Sequence, residues 1–326
     1  MIPETDGRVQ TVLGLILGDQ LGMTDAHTHV IRDGGVLTEA DPDFLLDSVA
    51  LAASELRLFH AAGGRAVVDM MPAAPGRNVR LLAEVSSQTG VHIIAATGFV
   101  AWALPAESPI WNLPEAELAQ ILAAEIQKGV AAEDESSSTI DRTPIRAGVI
   151  KISVELENPS PPERKFLSAA ARAHLTTGAP IVVHTASGSG ALLLVNLLQS
   201  LGVPASAVLL SHCFHARNSS LLERLAETGA FLVADGAGKP HHDEARLIND
   251  LLNLAKAGHG DRLLLGFDGS RRKYWRSYGG GPGFDYVPMH VTGKLRDRGF
   301  TDANLEQILI HNPARALALR RPSGVP

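Results

Sequence analysis

The chain has 326 residues, 45% hydrophobic and 20% charged, and its 29 Lys and Arg against 35 Asp and Glu leave a net charge of −6. That composition suits a packed protein and excludes chain-wide disorder, and its acidic sign argues against nucleic acid as the main partner. One cysteine, Cys213, fits a reducing compartment, the acidic start MIPETDGRVQ does not read as a signal peptide, and no apolar run approaches the ~20 residues of a membrane span, so a cytoplasmic protein with no membrane partner is expected.

Eight short apolar or β-branched runs read as strands: 23–30, 65–71, 91–99, 148–154, 180–185, 208–213, 231–235 and 263–268. Between them, apolar residues recur at helical spacing over 44–61, 79–89, 115–128, 162–177, 191–201, 219–228 and 244–257. Several of these segments end in glycine, among them Gly90, Gly178 and Gly229, as helix C-termini prefer. Thr301 is placed to cap a last helix through Leu309, and Asn312-Pro313 opens a further turn.

Strands that alternate with helices pair in parallel through right-handed crossovers. Eight such units with near-continuous apolar strands favour a closed (β/α)8, or TIM, barrel over an open doubly wound sheet. No Gly-rich dinucleotide or P-loop fingerprint follows any strand, which weighs further against the open sheet. No repeat or linker divides the chain, so 1–326 is expected to be one barrel domain. Residues 1–20 are expected to form a small lid at its base, the acidic, Ser-rich stretch 131–143 a surface insertion, and 321–326 a flexible tail.

Thirteen histidines against three Trp and three Tyr is the unusual feature of the composition. His27-Thr28-His29 ends the first strand, where residues two apart share a face, although chance alone gives about 0.5 such pairs in a chain of this make-up. Position adds the weight. His184 ends the fifth strand (PIVVHT), His212 the sixth (VLLSHC) and Asp268 the eighth (RLLLGFD), while Lys151 interrupts the fourth (VIKISV). In a barrel the C-terminal strand ends meet at one mouth, where such enzymes keep their active sites.

Polar groups converging there need partners. Any single histidine could be a core residue satisfied by a carbonyl; four His, one Asp and one Lys together suit divalent metal, zinc first, then manganese, cobalt or iron. Lys151 is a poor companion for cations as an ammonium, but burial and nearby positive charge depress its pKa. A neutral amine can add CO₂ to give a carbamate whose two oxygens could bridge two metals; a salt-bridged lysine is the alternative.

At these residues the chain resembles the phosphotriesterase-like branch of the amidohydrolase superfamily. The likeness runs nearly end to end, through TVLGLILGDQLGMTDAHTHV, AGVIKISV, PIVVHT, LLSHCFHARN, LLLGFDGSRRKYWRSYGGGPG and NPARAL. It implies His27, His29 and Asp268 as ligands of a first metal, His184 and His212 of a second, and carbamylated Lys151 between them. Two such metals can share a hydroxide and present it as nucleophile, with Asp268 orienting it and carrying its proton to the leaving group. The resemblance also implies a homodimer. Two features depart from it: the longer insertion 131–143, and Phe99 where some lactone-hydrolysing relatives carry tyrosine.

The loops after strands seven and eight, where barrels commonly hold phosphate, contain Lys239 and the run Arg271-Arg272-Lys273-Tyr274-Trp275. Arg271 or Arg272 can fork onto phosphate oxygens, Lys239 adds a point charge and Tyr274 a hydroxyl donor; a solvated basic turn over Trp275 is the plainer alternative. Members of the family with this pattern resemble enzymes that open phosphorylated sugar lactones, so the expected substrate is an aldonolactone 5-phosphate. A phosphotriesterase, an unphosphorylated lactonase or an amidase with the same metals is the alternative, and a non-catalytic binding protein on the same barrel is the alternative of another class. Asp25 is expected behind a metal-bound imidazole. His215, Arg217 and Asn218 either line the mouth or pack its loop, and His241-His242 is a weaker candidate for a further metal.

Overall fold

Each of the eight runs read as strands contains a barrel strand, and the described residues hold two further strands ahead of them. The structure, a computed structural model, describes residues 6–131, 141–154, 158–185, 188–240 and 242–321. β1 (Arg8–Thr11) and β2 (Gly14–Leu17) pair as an antiparallel hairpin. β3 (Thr24–Thr28), β4 (Ala66–Asp69), β5 (His92–Phe99), β6 (Val149–Val154), β7 (Ile181–Thr185), β8 (Val208–Ser211), β9 (Phe231–Ala234) and β10 (Leu263–Leu265) lie side by side in that order, all parallel. The fold is the expected TIM barrel.

Strand alternation sorts the side chains into two cores. Ala26, Val68, Ile94, Val149, Val182 and Leu209 meet inside the barrel. Val67, Ile93, Ile150, Ile152, Ile181 and Leu210 face the helices. Lys151, between Ile150 and Ile152, therefore shares the inward face with Val149, and His184 shares it with Val182.

No ladder joins β3 to β10 among the described residues, and this seam is closed by other bonds. The Asp268 N–H donates to the His27 carbonyl (2.7 Å), Phe267 N–H to the Asp25 carboxylate (3.1 Å) and Gly269 N–H to Thr28 Oγ1 (3.1 Å). Asp25 Oδ1 also accepts the His27 N–H at 3.0 Å, where the β3–β4 register shifts. Asp25 thus stitches backbone across the seam; it does not back an imidazole, which corrects the expectation from sequence.

Helices Val49–Ala61, Val79–Thr89, Glu115–Gln127, Pro161–Thr177, Ala191–Ser200, Ser219–Glu227 and Glu244–Leu254 cover the barrel. Their ends follow local chemistry. The side chains of Asn78 and Asn218 accept the N–H of Leu81 and Leu221, and Gly90 and Gly178 take left-handed φ of 71° and 77° after the helices they end. The helix expected from residue 44 begins only at Val49. Leu46 is held extended by two backbone bonds to Arg32, and the Ser48 side chain caps the helix by accepting the Leu51 N–H. Phe44 consequently sits in a short turn above the barrel mouth.

The hairpin lies at the opposite end. Val12 N–H donates to the carbonyl of Ile93 near the start of β5, and Val9 joins the inner core. Thr301 caps its helix by accepting the Asn304 N–H. Of the stretch 131–143, Ala131 pairs with Arg142; residues 132–140, like 322–326 and His241, lie outside the described residues. No helix among the described residues is long and apolar enough to cross a membrane.

Candidate active site

His27 and Lys151 lie within β3 and β6, His184 within β7, and His29 one residue past β3. His212 and Asp268, expected as the last residues of strands, fall just beyond β8 and β10. Both take left-handed backbone, with φ of 64° and 53°, a conformation uncommon for residues with a Cβ and frequent at functional sites. All six side chains line one cavity of about 190 Å³ at the C-terminal mouth of the barrel.

Within it, Asp268 Oδ1 lies 3.3 Å from His29 Nε2 and 3.8 Å from His27 Nε2. Donor atoms of these three residues all lie within 4.8 Å of one another. On the other side, the His184 ring meets that of His212 edge-on at 4.5 Å between centroids, and His212 is 4.8 Å from His27. Lys151 Nζ is buried and has no hydrogen-bond partner among the described residues. A buried polar atom without a partner is costly, and it stands among imidazoles and carboxylates, the donor set of divalent-metal sites. The residues present fit divalent metal.

Electrostatics favour ligand-competent states. Burial first, then the charge of Lys151, lowers His27 to about 4; burial lowers His29 to about 3. Both imidazoles are therefore neutral at pH 7. Burial brings Lys151 down to about 8, within reach of a neutral amine. Burial alone would raise Asp268, but Lys239, His29 and His27 outweigh it and hold the carboxyl well below its usual range.

Two carboxylates that sequence reasoning passed over organise this cluster. Asp235, just past β9, lies 3.0 Å from His27 Nδ1, 3.0 Å from His212 Nδ1 and accepts the His212 N–H at 3.1 Å. Contact with Asp235 at Nδ1 leaves Nε2 of each ring for a metal. Asp235 is wholly buried, which would raise it, yet the His212 contacts hold it well below the carboxylate range. Asp69, at the end of β4, accepts the N–H groups of Val30 (2.6 Å), Ile31 and Met71 and fixes the chain that follows His29. Both carry the signal used for Asp268, an acid closing an apolar run (FLVAD, VVDMM).

Of the residues expected to hold phosphate, Lys239, Arg271 and Arg272 each have a carboxylate partner. Lys239 donates to Asp268 and lies 4.9 Å from the centre of the Tyr274 ring, which is buried behind it. Arg271 pairs with Asp41 and Asp43 and stacks 3.7 Å from the Phe44 ring centre. Arg272 turns away to Asp47 (3.3 Å) and the Tyr278 ring. Phe44 lines the cavity together with Pro72, Val100 and the half-exposed Trp102. Phe99 packs on Phe166 in the outer core. His215 and Arg217 line a second cavity of about 240 Å³ with His242, Asp243 and Arg246, whereas Asn218 is spent as a helix cap.

A family model, described as the phosphotriesterase family, matches residues 7–317. A phospho-furanose lactonase from Mycoplasmopsis agalactiae is 29% identical over 97% of this chain and 93% of its own. An N-acetyltaurine hydrolase from Mus musculus is 28% identical over 96% of this chain and 99% of its own. Among solved structures, an amidohydrolase from Mycoplasma synoviae superposes with a TM-score of 0.93 at 29% identity, covering 99% of this chain and 95% of its own. With a family match over nearly its whole length, the chain belongs to the phosphotriesterase family, a family of metal-dependent hydrolases.

Proposed function

We propose that the protein is a dinuclear-metal lactonase whose substrate is a phosphorylated sugar lactone. The observation that carries this is the meeting of His27, His29, Lys151, His184, His212 and Asp268 in one cavity, with the Lys151 amine buried and unpartnered among the described residues. His27, His29 and Asp268 would hold one ion, His184 and His212 the other. Lys151, as a carbamate, would hold both: its neutral amine bonds to the carbon of CO₂ and releases one proton to solvent. Zinc suits imidazole and carboxylate donors, with manganese, cobalt or iron as alternatives. When bound, such a pair brings the pKa of water toward neutrality and polarises an ester carbonyl.

The chain's own groups do the rest. Asp235 holds the rings of His27 and His212 in register. Asp268, ionised at pH 7, is placed to take the proton of the attacking water and return it to the alkoxide leaving group. Once Asp268 is engaged elsewhere, Lys239 loses its partner and, with Tyr274 and Arg271, forms the side toward which a substrate phosphate would point. Arg272 has no part in this assignment, because its guanidinium faces Asp47. The lactonase name of the Mycoplasmopsis relative supports the choice of substrate. The N-acetyltaurine hydrolase keeps amide hydrolysis as the second reading. We place the enzyme in the cytoplasm, with a small molecule as its partner.

The test is metal analysis and a substrate panel. Zinc-loaded protein should hold two ions per chain and hydrolyse γ-lactone 5-phosphates above their unphosphorylated counterparts and above N-acyl amines. Reconstitution should accelerate with bicarbonate in the wild type and show no bicarbonate response in Lys151→Met. Metal-loaded protein that cleaves no lactone would remove the proposal; one that cleaves only amides would transfer it to the second reading.

A further inference from the structure

The cations on the loops after β9 and β10 are matched by carboxylates. Lys239 is paired with Asp268, Arg271 with Asp41 and Asp43, and Arg272 with Asp47. Arg32, which lines the cavity beside His29, has no carboxylate in ion-pair contact among the described residues. Its side chain is buried, 2% exposed. Nη1 donates to the carbonyls of Ser270 (3.0 Å) and Phe44 (3.4 Å). Among the described residues Nη2 has the Met71 sulfur at 3.3 Å and the His29 Nδ1 at 3.5 Å, and Nε has no acceptor.

Asp69 and Asp268 act on this guanidinium electrostatically, but neither is in ion-pair contact with it, and its removal from water is unfavourable by itself. Here it is also held rigid, because Ser270 and Phe44 grip it from the loop after β10 and from the turn above the mouth. The Nε–Nη2 edge, of the kind that forks onto carboxylate and phosphate oxygens, meets only the Met71 sulfur and, at longer range, the His29 ring nitrogen among the described residues. Met71 is flexible and polarizable, the kind of side chain that yields to a better acceptor.

We propose that Arg32 is a specificity-determining residue that receives the substrate's oxyanion, with the Met71 sulfur moving off the Nη2 donor as it binds. This rests on the cavity being the lactone site proposed above, and it adds a cation from the β3 side to those on the loops after β9 and β10. An anion held there lies beside His29, so the ring carbonyl of the same substrate must reach inward from that side.

The experiment compares wild type, Arg32→Met, Arg32→Lys and Arg271→Ala in two assays. The first is kcat/KM on a γ-lactone 5-phosphate and on its unphosphorylated counterpart. The second is thermal protection of the metal-stripped protein by inorganic phosphate. Arg32→Met should cut the preference for the phosphorylated lactone roughly 10- to 100-fold, the cost of a lost charge-assisted contact, and weaken phosphate protection in the same proportion. Arg32→Lys, which keeps the charge without the fork, should fall between, mainly in KM. Equal losses on both lactones, with a lower Tm and unchanged phosphate affinity, would make Arg32 a strut and overturn the proposal. So would phosphate protection that disappears in Arg271→Ala and persists in Arg32→Met. If the wild type cleaves no lactone while phosphate protection still follows Arg32, the substrate reading fails and the anion site stands.

Discussion

Replacing Asp235 tests whether one carboxylate orients ligands for both proposed ions. Its oxygens lie 3.0 Å from Nδ1 of His27 and 3.0 Å from Nδ1 of His212, on rings assigned to different metals. Losing the outer partner of a metal-binding histidine typically weakens the metal 10- to 100-fold, about 1.4–2.7 kcal/mol per site. Asp235→Ala removes both partners, so both dissociation constants should rise by about that factor. Asp235→Asn keeps one carbonyl oxygen and turns an NH₂ to the other ring, so one site should weaken fully and the other much less. Competition against a chromophoric chelator resolves the two steps, and near-UV circular dichroism confirms the fold. Affinities within about twofold of wild type in both variants would refute the assignment. Loss of one ion beyond about a thousandfold would make Asp235 a ligand itself, since its oxygens also lie within 4.8 Å of donor atoms on His27 and His212.

The remaining predictions concern stability. His27 and His29 bind protons less readily folded (about 4 and about 3) than unfolded (6.5), with burial as the main cause. The unfolded chain therefore takes up more protons in this window, and stability falls as pH drops from about 6.5 toward 4, each ring contributing on the order of 3 kcal/mol. Urea midpoints of metal-stripped protein across that range should decrease steadily with acid; a flat profile contradicts the burial argument. Asp25→Ala leaves the N–H groups of His27 and Phe267 without their acceptor, an expected cost of about 2–6 kcal/mol at roughly 1–3 per buried group. Asp25→Asn keeps an oxygen and should cost well under half of that. Equal stability of the two variants in urea unfolding would show that Asp25 does not hold the seam.

Much of this was legible in the sequence, because a barrel strand is short, apolar and closed by whatever the mouth requires. His184 in PIVVHT and Asp268 in LLLGFD stand out as polar residues where solvation alone gives no reason for them. Asp235 and Asp69 carried the same mark, but Asp235 opens a glycine-rich loop that also reads as a phosphate loop, and Asp69 lacks a neighbouring histidine. Arg32 had no mark at all. Its significance depends on Ser270 and Phe44, 238 and 12 residues away along the chain, folding over it. The start of the helix at Val49 was hidden for a related reason: Phe44 and Leu46 keep helical spacing with the residues that follow, and only the backbone bonds between Leu46 and Arg32 hold them out of the helix. The matched charges of Arg271 and Arg272 were equally invisible, since Asp41, Asp43 and Asp47 precede them by more than 200 residues.

His27 on the first strand of the cylinder and Asp268 just past the last are bonded backbone to backbone at 2.7 Å. A cation gripped by both would act as a clasp, fastening the two ends of the sheet as well as serving the reaction. Stripping it should then loosen the molecule first along that line, so that amide exchange at Phe267, Asp268 and Gly269 quickens while the far wall around β6 and β7 stays protected. Catalytic assembly and mechanical closure would be a single event in this protein.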